Sequence, residues 1–181
     1  MSDSGDLTRR DALKVAAGSV VAARVATLRA AAAAPDLRFF TPAEFALADT
    51  LCELLIPADD HSPGARAAGV ALFIDGVLAE AFTDEPRVQW RTGLNLVGEL
   101  ARGAHGRPFV ELLPAQQTAL MERLAASEEE PVSEEDRFFV ELKRRTVHAY
   151  YTSRVGIHDE LEYKGNVMLD EFAGTDVARE R

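Results

Sequence analysis

Between Thr41 and Tyr150 the chain repeats one pattern five times: a capping residue or proline, then apolar side chains returning every three or four positions. That period belongs to a helix with one buried face, and no pair of alternating stretches suggests two partnered strands. Thr41-Pro42-Ala43-Glu44 opens the first helix. Thr41 caps free amides while Glu44 reaches back, and Pro42 stands where its missing N–H costs nothing. Phe45, Ala48, Cys52 and Leu55 recur along it, with Leu47, Leu51 and Leu54 beside them, until Pro57 stops it. After the polar turn 58–64, residues from Val70 to near Phe82 predict a largely buried second helix. Gly76, costing about 1 kcal/mol against alanine there, reads as a point of close helix approach. Pro86 starts a third helix carrying Trp90, Leu94, Val97 and Ala101, which fades at 103–106. Residues 108–113 form a linker with buried anchors. Pro114 opens a fourth helix to about Ala126, behind Leu113, a poor cap. Ser133 and Asp136 cap a long fifth helix through Phe138, Phe139, Leu142, Val147 and Tyr150. The fold expected is all-α: a single domain of about five helices, with an irregular C-terminal arm.

Three segments follow from this reading: a leader over 1–34, a helical domain over 35–153 and an extended arm over 154–181. With 181 residues, 47% of them apolar, the chain has ample material for one packed core. The leader holds five basic and three acidic residues. Set against totals of 20 and 30, this leaves 15 and 27, a balance of about −12 for the remainder. Such a charge repels phosphate backbones and excludes nucleic acid as a partner.

Thr8-Arg9-Arg10-Asp11-Ala12-Leu13-Lys14, followed by nine uncharged residues, has the order of a twin-arginine export signal. Arg9, Arg10, Leu13 and Lys14 carry it, and Ala12 replaces the usual bulky residue. Nine residues fall far short of the roughly 20 that span a bilayer. The leader therefore predicts periplasmic export rather than a permanent anchor. The twin-arginine route carries folded cargo, which suits a chain whose single cysteine, Cys52, precludes an internal disulfide.

Motifs for chemistry are missing from the sequence. It has no Gly-x-Gly-x-x-Gly, no phosphate loop ending Gly-Lys-Ser/Thr and no Cys-x-x-Cys, so neither catalytic, cofactor-binding nor metal residues are assigned. Cys52 lies on an apolar stripe, where a thiol is a core residue before it is a nucleophile. His61 beside Asp59 and Asp60 fits a polar turn whose aspartate accepts backbone amides, with a cation or small-molecule site as the alternative. His158, Asp159 and Glu160 form a second polar cluster, read as partner contacts. His148 reads as packed or half-exposed. Acidic runs at 128–130 and 134–136 are surface charge first and an attraction for a cationic carrier second.

The positive signal is the end of the chain. Tyr150, Tyr151, Arg154, Gly156, Ile157, His158, Tyr163, Gly165, Asn166 and Phe172 concentrate the Tyr and Arg that dominate interfaces, with glycines that let a backbone approach a surface closely. These ten residues are the expected partner interface.

The same landmarks give the chain a family likeness. The paired-arginine leader, Phe40-Thr-Pro-Ala-Glu44, Leu55-Ile-Pro-Ala-Asp-Asp60 and Phe73-Ile-Asp75 resemble the gluconate 2-dehydrogenase subunit 3 family. Pro108-Phe-Val-Glu-Leu112, Pro114-Ala-Gln-Gln117, the Arg145 to Tyr151 run and Tyr163-Lys-Gly-Asn166 extend the likeness in consistent order. The resemblance implies a non-catalytic small subunit, without a cofactor of its own. Its partners would be an FAD-dependent catalytic subunit of the glucose-methanol-choline type, a multihaem cytochrome c in some complexes, and the twin-arginine translocase. The catalytic subunit would lack an export signal and travel with this chain to the periplasm, where any membrane association comes from the complex. Residues 166–172 depart from the glycine- and Trp-containing ending of many members, and the 150–157 run resembles members paired with enzymes of broader sugar and glycoside range. The rival from another class is a stand-alone periplasmic helical binding protein with its site near Asp59, Asp60 and His61.

Overall fold

A computed structural model describes residues 35–163 and residue 165; the leader residues Arg9, Arg10, Leu13 and Lys14, and Asn166 and Phe172 of the arm, lie outside them. Among the described residues five α-helices follow one another: α1 Pro42–Leu55, α2 Val70–Ala79, α3 Glu85–His105, α4 Pro114–Ala125 and α5 Glu134–Tyr151. A 3-10 turn, Phe109–Glu111, joins α3 to α4, and a π-turn, Gly156–Glu160, follows α5. The described residues contain no strand, and no helix among them is long and apolar enough to cross a membrane. The all-α expectation is met.

The helix starts are built by the chemistry expected of them. Thr41 Oγ1 accepts from the Glu44 amide at 3.3 Å while Glu44 Oε2 accepts from the Thr41 amide at 2.8 Å. Ser133 and Asp136 repeat the arrangement at 3.1 and 2.9 Å. Leu113 has no side-chain acceptor, so α4 is capped by half a box: Gln116 Oε1 takes the Leu113 amide at 3.0 Å. Gly106 closes α3 in the left-handed conformation, φ 70°, with its amide on the Arg102 carbonyl.

Helix α5 packs against each of the other four helices, and the core gathers round it. Trp90, fully buried, meets the Phe138 ring edge-on at 5.5 Å and Phe40 at 5.9 Å. Gly93 makes this possible, since a β-carbon there would overlap the Phe138 ring. Close helix approach therefore falls at Gly93 and not at Gly76, where a β-carbon would meet nothing within 4 Å. Within α5, Thr146 is buried and Val147 is exposed, because the stripe facing α1 turns past Val147. Helix α2 stops at Ala79, earlier than its apolar run, and Phe82 stands fully in solvent.

Asp75 is the one acidic side chain in this core, 1% exposed. Its carboxylate accepts the amides of Arg38 at 2.7 Å, Phe39 at 3.0 Å and Phe40 at 2.7 Å. A buried charge persists when hydrogen bonds replace its water. Here those bonds pin the segment ahead of α1 onto α2.

Candidate functional site

The end of α5 was expected to open into an extended arm. Instead residues 154–160 stay helical and fold the chain back, because Ser153 restarts the hydrogen bonding that Tyr151 ends. Ser153 Oγ donates to the Tyr150 carbonyl at 2.6 Å and accepts the Gly156 amide at 3.0 Å. Gly156 is buried, and a β-carbon there would overlap the Tyr150 carbonyl, so only glycine closes this turn. The Tyr163 amide then bonds the Ile157 carbonyl at 2.9 Å.

Two of the ten predicted interface residues belong to the interior. Tyr150 is 0% exposed, and its hydroxyl donates to the Pro63 carbonyl at 2.7 Å. Having spent its proton there, it accepts one from Ser62 Oγ at 2.7 Å. Tyr150 thus fastens α5 to the 58–64 turn and presents nothing outward. Gly156 serves its own chain in the same way. Their neighbours do face out: Tyr151, Arg154, His158, Tyr163 and Gly165 are exposed, and Ile157 is half-buried. Tyr151 stands edge-on to Tyr150 at 5.3 Å. Partial burial, then the nearby Glu160 carboxylate, raise its phenol above the ordinary range.

The 58–64 turn takes the form in which aspartate serves the backbone. Asp59 Oδ1 accepts the amides of His61 and Ser62, each at 2.8 Å, and these bonds lower its carboxyl below the usual range, the Ser62 amide most. His61 Nε2 reaches the Glu160 carbonyl at 3.1 Å. That bond is the main reason the imidazole binds its proton more tightly than usual. Two polar clusters 99 positions apart therefore meet, turn against π-turn, at the surface where Tyr151 and Leu161 are exposed. Among the described residues no three His, Cys, Asp or Glu side chains are placed to hold a metal ion. His158 Nδ1 lies 3.3 Å from the Tyr163 carbonyl, tying down the next residues of the chain.

Cys52 is 1% exposed with Sγ 3.3 Å from Thr146 Oγ1. Burial pushes its thiol up to about 12, so it is a core residue without nucleophilic character. His148 is exposed, its ring 6.4 Å from that of Phe73. Of the acidic runs, Glu128 is bonded to Lys143 Nζ at 2.6 Å and Asp136 caps α5, while Glu129, Glu130 and Glu134 face solvent. What the residue pattern alone missed is Leu161, 57% exposed beside Glu160, and the outward side of α2. The signal for the second was available: residues 70–79 are apolar on every face, more than one contact surface can cover.

The described part of the site is thus a hydrogen-bonded surface at the end of α5 that carries aromatic, aliphatic and cationic groups. In comparison with known families, the model described as Gluconate 2-dehydrogenase subunit 3 matches residues 42–167, well over half of the chain. No curated protein and no solved structure matches it.

Proposed function

The chain belongs to the gluconate 2-dehydrogenase subunit 3 family, a subunit of a dehydrogenase complex, and on that premise we propose that it is the non-catalytic small subunit of an FAD-dependent sugar or glycoside dehydrogenase. The single observation that carries the reading is the family match over 42–167, which takes in all five helices and the π-turn. The chemistry of the surface agrees with a docking role. Tyr151, Arg154, Leu161 and Tyr163 are interface-type residues held on a hydrogen-bonded turn, so little ordering remains to be done on binding. The buried thiol of Cys52 and the amide-bound Asp59 support a reading in which the flavin and the redox chemistry belong to the partner subunit.

In this reading the catalytic subunit folds and takes up FAD in the cytoplasm, docks on this chain, and leaves with it. Arg9 and Arg10 present the complex to the twin-arginine translocase, and a c-type cytochrome receives the electrons in the periplasm. Replacing Arg9 and Arg10 together by lysine should hold the flavoprotein in the cytoplasm, measured as dehydrogenase activity in fractionated cells. Undiminished periplasmic activity in that variant rejects co-export.

A further inference from the structure

Helix α2 carries more apolar surface than its own domain covers. Val70, Ala71, Ile74, Asp75 and Leu78 face inward, and Asp75 is the only charged residue of the ten. The outward positions are Leu72, 44% exposed, Phe73, 48% exposed, and half-buried Gly76 and Val77. A short helix that is apolar all round is ordinarily buried all round. On this one, a side remains open. Helix α5 continues the surface with exposed His148, whose ring lies 6.4 Å from that of Phe73. Between the two helices lies a groove of about 250 Å³, with Phe73 and Val77 on one wall and Arg144, Arg145 and His148 on the other.

The charge on the rim indicates what fits. Arg144 Nη2 and Arg145 Nε both bind Glu141, at 2.7 and 2.5 Å, so one carboxylate serves two guanidiniums and a positive charge is left over. This occurs in a chain of net charge −10. We propose that the outer face of α2, with the adjoining turns of α5, docks the catalytic subunit of the complex. The partner would be a protein surface that places an apolar side chain against Phe73 and Val77 and a carboxylate against Arg144 and Arg145. The inference rests on the reading of the chain as a complex subunit. A second copy is a poorer occupant, because a two-fold contact on this groove sets its cationic rim against itself while both chains are acidic. The same net charge repels an anionic membrane.

The test recovers the affinity-tagged full-length chain from its native host and measures the dehydrogenase bound to it, identified by flavin absorbance and sugar oxidation with an artificial acceptor. Phe73→Asp should weaken binding by about 10-fold or more. Arg144→Glu should weaken it and flatten its dependence on salt, and Val132→Asp, at the other end of α5, should leave it unchanged. Arg144 is 64% exposed at its side chain, so that variant decides the matter if Phe73→Asp lowers the melting temperature. Wild-type binding by both Phe73→Asp and Arg144→Glu overturns this face and leaves the subunit reading standing. A wild-type chain that recovers no dehydrogenase overturns both. Self-association, or binding to phosphatidylglycerol vesicles, that Phe73→Asp abolishes while the complex survives assigns the face elsewhere and overturns the proposal.

Discussion

At the scale of single residues, His61 shows how a local motif acquires a distant task. Its position after Asp59 and Asp60 marks a polar turn, and the amides on Asp59 are those such a turn requires. Its bond to the Glu160 carbonyl has no counterpart in the local pattern. Because the folded protein raises the affinity of His61 for its proton, the contact is strongest below the ordinary value of 6.5. It weakens as pH rises through the higher folded value. A neutral tautomer still donates, without the charge that strengthens the bond. Amide exchange over 156–163, corrected for the intrinsic rate, should therefore quicken as the pH rises through the folded value of His61, and His61→Ala should remove that dependence. Equal protection below and above that value refutes the coupling.

Among the elements, the junction of the 38–40 segment with α2 depends most on one side chain. Asp75 receives three amides from outside its own helix. Asp75→Ala leaves them buried or half-buried without acceptors and should cost about 3 kcal/mol or more, at roughly 1 kcal/mol or above for each. Asp75→Asn retains Oδ1 for Phe39 and Phe40 but turns an amide N–H₂ toward the Arg38 amide, so its cost should be smaller. Denaturant midpoints measure both, and a loss under about 1 kcal/mol in the alanine variant refutes the clamp. Periodicity placed the five helices well, and caps and prolines placed their starts, since both are determined by neighbours in the chain. It misjudged Gly76, Val147 and the 154–160 turn. Each depends on what stands opposite: Phe138 opposite Gly93, α1 opposite Thr146, and the Tyr150 carbonyl opposite Gly156.

For the whole molecule, the arrangement round α5 predicts one cooperative unit. Trp90 is the single tryptophan, and its neighbours come from α5 and from the segment before α1. Its fluorescence should shift to the red over the same denaturant range in which helical circular dichroism is lost. A fluorescence transition well ahead of the dichroism would divide the core into separate units. The interface is likewise a property of the assembled whole. Phe73 and Arg144 are far apart in sequence, and the groove they line exists only once α2 lies beside α5.

The sequence alone determined the helical class, the helix starts and the absence of the familiar catalytic motifs, because periodicity, capping and motif spacing are written in residues a few positions apart. Only the tertiary structure decided which tyrosine is a core strut and which is exposed, that Asp75 clamps the segment ahead of α1, and that α2 keeps an apolar side open. Those outcomes turn on burial, which follows from the partner a side chain meets across the fold, and no window of neighbouring residues contains that partner.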